Sequence, residues 1–269
     1  MSTVASVLSD GAIVAKRNLI KIKRVPDILV WTLMSPIMFV LLFGLVFGNS
    51  IHIPGVSYRE YLIAGIFAQT VIFGSTFTGV GLADDMTKGV IDRFRSLPMA
   101  RSAVLLGRTG SDIVYNSISI LVMSLAGLAV GWRIRTDVFS AIGGFVLLLL
   151  FAYAFSWIMA WVGLKVKAVE VVQNASFMFI FPLTFVANTF VVVQSLPAGL
   201  QTFAEWNPVS AVAQAVREAF GNTGDLPKPD VWSLAHPVVY SLIWIGIILA
   251  IFVPLSIRQF KKAASRASK

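Results

Sequence analysis

The sequence predicts an all-α integral membrane protein with six transmembrane helices and both ends in the cytoplasm. Three observations carry this. Of 269 residues, 57% are hydrophobic and only 13% charged, about half the charged share of a soluble domain. The apolar residues are clustered, and segments of about 20 recur, each long enough at 1.5 Å per residue to cross a hydrocarbon core of about 30 Å. Nearly all basic residues sit outside those segments, in the connections between them and at the two ends. Mean hydropathy is +0.81. Helices follow because lipid offers no partner to a free backbone N–H or C=O.

Residues 1–26 form a separate N-terminal unit. Val4, Leu8, Ala12, Ala15, Leu19 and Ile22 recur at helical steps, while Lys16, Arg17, Lys21, Lys23 and Arg24 crowd the second half. This is the pattern of an amphipathic interfacial helix with its basic face on anionic headgroups. The first 25 residues lack an apolar core, so no cleavable signal peptide is expected.

A six-span transmembrane unit, residues 27–257, follows. Its spans are predicted at about 28–48 (with Pro36 as a kink), 61–82, 103–131, 138–162, 171–193 (interrupted by Pro182) and 237–257. Residues 258–269 are a basic tail. With the N-terminus inside, 17 of the 22 Lys and Arg fall in inner segments and 5 in outer ones, which sets the orientation by the positive-inside rule. Tyr58, Trp132, Trp206, Trp232 and Tyr240 then fall at the outer boundary, where an aromatic belt is expected.

The net charge of +9 is therefore a membrane signal, and no nucleic-acid partner is expected. The absence of cysteine excludes disulfides, thiolate catalysis and cysteine-ligated metals. No phosphate loop, nucleophile–base arrangement or metal cluster is present, so no catalytic residue, metal or cofactor is expected on the chain. His52 and His236 lie in outer segments, and no ionisable side chain lies near the middle of a span. Proton-coupled transporters need such groups at depth.

The inner connection between spans two and three carries Asp84, Asp85, Met86, Lys88, Gly89, Val90, Ile91, Asp92, Arg93, Phe94, Arg95 and Leu97. Met86, Val90, Ile91, Phe94 and Leu97 mark one face of a short helix that Leu97-Pro98 ends. Such a face docks on the protein's own helices or on a partner, or else the run is a solvated loop. Arg108 and Asp112, one turn apart, are spaced to form an ion pair. Uncharged polar residues concentrate in spans two and five: Gln69, Thr70 and Thr76 in the one, Asn174, Thr184 and Asn188 in the other. They are either glue between helices or the lining of a polar path. On the outer side Asn207 and Pro208 start a helix that Gly221 stops, with Val209, Val212, Ala213, Val216 and Phe220 on its apolar face and Gln214, Arg217 and Glu218 opposite. That helix is expected to dip into the membrane interface.

The run Gly89-Val-Ile-Asp-Arg-Phe-Arg-Ser-Leu-Pro-Met-Ala-Arg101, followed by Gly107, Arg108 and Asp112, resembles the cytoplasmic signature of type-2 ABC exporter permeases, in their daunorubicin/doxorubicin resistance branch. Asn207-Pro-Val-Ser, continuing to Arg217 and Gly221, is similar to the branch's second signature. The resemblance covers nearly the whole chain. It implies the transmembrane subunit of an ATP-driven exporter of amphiphilic drugs, antibiotics or lipids, working by alternating access in the bacterial plasma membrane. It implies pairing with a second permease subunit as a homodimer. It also implies two copies of a cytoplasmic ABC ATPase that carry the ATP and magnesium. Residues 84–97 would be the coupling helix, spans one, two and five the cargo path between protomers, and the Asn207 helix the re-entrant outer gate. Export of lipid-linked glycans or cell-wall polymers shares the fold. An ion-coupled secondary transporter and a structural or sensory subunit are the other classes.

Overall fold

The computed structural model describes residues 4–24, 26–48, 51–90, 101–166, 168–227 and 229–266. Ile91, Asp92, Arg93, Phe94, Arg95 and Leu97 lie outside them. The described residues are built of helices and connections, with one isolated bridge between Ile53 and Val56.

Helix α1 (Val4–Arg24) packs along the helix over Arg101–Ala129, α4, not as a free tail. Its buried line is Gly11, Val14 and Asn18, while Ala12, Ile13 and Ile20 are exposed. Of the predicted stripe, Ala12 is exposed and Ala15 half-buried, and close backbone approach and polar partners line the buried side. A Cβ on Gly107 of α4 would sit 2.4 Å from the Gly11 carbonyl oxygen. One turn on, Asn18 Nδ2 donates to Ser111 Oγ at 3.3 Å.

Helix α2 (Pro26–Leu41) contains Pro36 and passes into a π-wound turn over Leu42–Val46. The Gly44 carbonyl in that turn accepts from Arg59 Nε at 3.0 Å. Helix α3 (Tyr58–Thr87) is capped by Ser57, which accepts from the Glu60 N–H, and Glu60 follows three residues later as in a capping box. It is apolar nearly all round, and 78% of its apolar stretch is buried, so it forms the centre of the bundle. Helix α4 (Arg101–Ala129) and helix α5 (Val138–Lys165, capped by Asp137) pack against it.

Helix α6 (Val169–Phe185) stops eight residues short of the predicted end of span five, three residues after Pro182. Helix α7 (Ala198–Glu205) follows in the outer connection. Helix α8 (Pro208–Phe220) begins at Asn207, whose Oδ1 accepts from Val209 N–H, and ends at Gly221. Gly221 has φ +70°, a conformation that glycine adopts without steric cost. A short helix α9 (Trp232–Ala235) leads into α10 (Pro237–Arg266), which continues well past the predicted end of span six.

Helices α3, α4, α5 and α10 each contain a stretch long and apolar enough to cross a membrane, and Met34–Val46 and Val169–Phe185 are shorter apolar helices. The chain is thus a multi-pass membrane protein.

Three residues of the predicted belt, Trp132, Tyr58 and Tyr240, are buried. Trp132 packs edge-on against Phe67 and Phe220, and its indole N–H reaches Asn222 Oδ1 at 2.7 Å. With both its ring face and its polar handle satisfied inside, the side chain has no need of the interface.

Candidate functional site

A cavity of about 650 Å³ opens between α2, α3, α4 and α6. Helix α2 contributes Ser35, Pro36 and Phe39, and α4 contributes Tyr115 and Ser119. Helix α3 supplies Gln69, Thr70, Phe73, Gly74, Thr76, Phe77 and Val80, and α6 supplies Gln173, Phe177, Phe181 and Phe185. The aromatic residues follow helical spacing: Phe73 and Phe77 on α3, and Phe177, Phe181 and Phe185 on α6, fall four residues apart and so share a face. Phe181 and Phe185 stack with centroids 4.0 Å apart, and Phe73 meets Phe177 at 5.4 Å across the helices. No side chain lining the cavity is charged at neutral pH.

The polar residues predicted for a path divide into groups. Thr76 donates to the Phe73 carbonyl at 2.6 Å and Thr184 to Ile180 at 2.9 Å, as hydroxyls in helices commonly do with the preceding turn. Thr184 lies away from the cavity, and Asn174 is exposed on α6. Gln69 and Thr70 stand apart. Both line the cavity, Gln69 is 3% exposed, and neither its amide N and O nor the Thr70 hydroxyl has a protein hydrogen-bond partner. Leaving a buried polar group unmet costs about 1–3 kcal/mol. These two residues thus leave unmet hydrogen-bonding groups on a wall that also carries Ser35, Thr76, Tyr115, Ser119 and Gln173 among its aromatic residues.

Asn188 is part of a different centre. Arg217 of α8, which the sequence places on the helix's polar side, is fully buried. Its Nε donates to the Tyr61 carbonyl at 2.9 Å, and its other nitrogens reach Asn188 Oδ1 and the carbonyls of Asn188 and Thr189. The guanidinium also lies 3.6 Å from the Tyr61 ring centroid, a cation–π contact. Asn207 Nδ2 donates to the carbonyls of Leu183 (2.7 Å) and Val186 (2.9 Å), and Ser210 Oγ accepts from Asn188 N–H. Residues 183–189, at and just past the end of α6, are thus held by both ends of α8, and α8 is packed against the bundle. Asn207, Pro208 and Arg217 fall together here.

At the C-terminal end of α3, Asp84, Asp85 and Met86 belong to the helix itself, because a helix has no reason to stop where polarity changes. The turn at Lys88 and Gly89 ends it. Asp84 pairs with Lys88 at 2.7 Å, and the carboxylate holds the Lys88 ammonium above its ordinary range through that hydrogen bond. Asp85 pairs with Arg17 of α1 at 2.8 Å, so α1 is bound to the root of the 84–97 segment. Val90 is half-buried.

The Arg108–Asp112 ion pair is not made. Arg108 crosses to α3, donating to the Phe77 carbonyl at 2.7 Å, and to Asn18 Oδ1 of α1 at 3.5 Å. Asp112 is buried with one carboxylate oxygen unbonded. Tyr115, Ser119 and the aromatic wall are not among the residues that the sequence singles out. The four-residue steps of phenylalanine on spans two and five are the signal that identifies that wall.

A cavity between apolar helices lies between the Arg217 cluster towards one end of α3 and the Asp85–Arg17 pair towards the other. The chain belongs to the ABC-2 type transporter family, which matches residues 11–220. It is similar to the daunorubicin resistance ABC transporter permease protein DrrB1 of Streptomyces coeruleorubidus, with 29% identity over 91% of this chain and 83% of that protein. The probable doxorubicin resistance ABC transporter permease protein DrrC of Mycobacterium tuberculosis is 25% identical over 82% and 78%. The inner membrane transport permease YadH of Escherichia coli is 24% identical over 77% and 82%. The resemblance read from residues 89–101 and 207–221 is thus to the family the chain belongs to.

Proposed function

We propose that this chain is the membrane subunit of an ATP-driven exporter and that its cargo passes through the cavity between α2, α3, α4 and α6. The observation that carries this is the wall itself: stacked phenylalanines, two unmet polar side chains at Gln69 and Thr70, and no charged group. Such a wall suits an amphiphile, a drug, antibiotic or lipid with a ring or chain and a few hydrogen-bonding groups. The drug-resistance names of two relatives point the same way.

The chain has no motif for hydrolysing ATP, so ATP and magnesium belong to a cytoplasmic ABC ATPase, two copies of which serve a homodimer of this chain. Residues 84–97 receive the push, and alternating access follows from rigid movement of six spans. The spans are the four long apolar helices together with α2 and α6. In this reading the chain sits in the bacterial plasma membrane, its termini cytoplasmic and α7 and α8 on the outer side.

Gln69→Ala and Phe181→Ala in cells carrying the ATPase partner test the reading. Efflux of amphiphilic drugs falls in both if the cavity is the path. Unchanged drug efflux with altered envelope glycans would replace drug export with polymer export.

A further inference from the structure

A continuous line of side chains runs from the end of α3 to the cavity wall. Asp85 pairs with Arg17 of α1 at 2.8 Å. The same Arg17 nitrogen donates to Asn18 Oδ1 at 3.1 Å, and Arg108 of α4 donates to that oxygen at 3.5 Å. Two guanidinium groups thus share one amide oxygen, on a side chain that is buried. Arg108 also donates to the Phe77 carbonyl at 2.7 Å. Phe77 lines the cavity, and its ring meets that of Tyr115, another lining residue, at 5.1 Å.

The sequence makes room for this reach across to α3. Gly81 lies one turn after Phe77, and a side chain there would collide with the Arg108 guanidinium. The same arrangement leaves a complementary pair of groups unused. Arg108 Nε has no partner, and neither has Asp112 Oδ2 one turn further along α4. Asp112 is 4% exposed, with the Ser156 hydroxyl of α5 beside its carboxyl. A buried carboxylate is costly unless a cation pairs with it, and the i, i+4 spacing puts the guanidinium within reach. Arg108 therefore has two sets of partners and serves one set at a time. A side chain with two discrete places is an element through which a small displacement becomes a change elsewhere.

We propose that Arg108 is a positioning residue that moves between the Phe77 carbonyl with Asn18, its place here, and Asp112. In the first place it ties the cavity wall to α1 and so to Asp85. Displacement of α1 at the Asp85–Arg17 pair draws Asn18 away, Arg108 turns to Asp112, and the wall at Phe77 is released. This deepens the proposed function and rests on it, since there the cavity carries the cargo and residues 84–97 receive the push.

The test uses the permease reconstituted with its ATPase partner, and Nile red, an uncharged fluorescent amphiphile, as the cargo probe. Asp112→Asn keeps the shape of the side chain and removes the second place. Nile red binding to the purified permease and ATP hydrolysis without cargo should match the unmodified protein. Transport, and the stimulation of hydrolysis by Nile red, should fall severalfold. Asn18→Leu, which cuts the link from α1 to Arg108, should show the same split, and Asp112→Glu, which restores the carboxylate, should recover part of the transport. Transport and stimulation unchanged in Asp112→Asn or in Asn18→Leu overturn the proposal. Loss of Nile red binding along with transport makes these residues structural and overturns it equally. An unmodified permease that moves no Nile red with its ATPase and ATP fails the proposed function first, and this proposal with it.

Discussion

At the scale of single residues, two kinds of buried polarity do opposite things. Gln69 and Thr70 have unmet hydrogen-bonding groups on a cavity wall, whereas Arg217 is bonded on all sides. Replacing an unmet polar group by an apolar one of similar shape removes a penalty. Gln69→Leu is therefore expected to leave the melting temperature unchanged or raise it, while cargo transport drops severalfold. A fall in both would mean that Gln69 is structural. Arg217→Met should do the reverse. It leaves the carbonyls of Tyr61, Asn188 and Thr189 without their shared donor, and loses about 2–4 kcal/mol of stability, measurable as reduced thermal stability in detergent. The sequence shows neither distinction, since composition and spacing locate polar residues without naming their partners. Trp132 illustrates the same limit: its place at a predicted span end said interface, and its tertiary partner Asn222 made it core.

At the scale of elements, local chemistry was legible and helix ends set by packing were not. Asn207 and Gly221 bound α8 as their capping chemistry predicts, because a cap depends on two or three adjacent residues. The span ends moved instead. Helix α3 runs five residues past Leu82 and α10 nine past Ile257, since backbone hydrogen bonds continue through polar sequence. Helix α6 stops early because α8 takes over the carbonyls and amides of 183–189. The packing of α1 on α4 depends on the approach at Gly107. Gly107→Val should separate the two helices, since a Cβ there would meet the Gly11 carbonyl oxygen at 2.4 Å and Val14 Cβ at 2.7 Å, and thermal stability in detergent should fall. Stability unchanged from the unmodified protein would contradict the packing described. At the outer end of α5, hydrogen bonds from Ser140 hold the Asp137 carboxyl below its usual range. Its contribution is present above the ordinary aspartate pKa of about 3.9 and lost as pH falls below it. Asp137→Asn should accordingly flatten acid sensitivity of melting in that window, with a helix cap retained.

At the scale of the molecule, apolar clustering and basic connections identify a multi-pass membrane protein, and two short runs give the family. The cavity was half visible, in the polar residues of span two. The participation of span three through Tyr115 and Ser119 was not, because which helices meet is a tertiary fact. In the proposed function, work arrives from outside the chain through residues 84–97, at whose start α3 meets α1 through Asp85 and Arg17. Phe94→Asp is expected to abolish transport and its stimulation of ATP hydrolysis while leaving cavity binding intact, as measured by cargo binding to the purified protein. The most direct measurement is cargo uptake into liposomes holding the permease with or without its ATPase, in the presence of ATP and of an imposed proton or sodium gradient. Uphill transport that requires both the ATPase and ATP, and ignores the ion gradients, is the predicted result. Uphill transport by the permease alone under either gradient would contradict it.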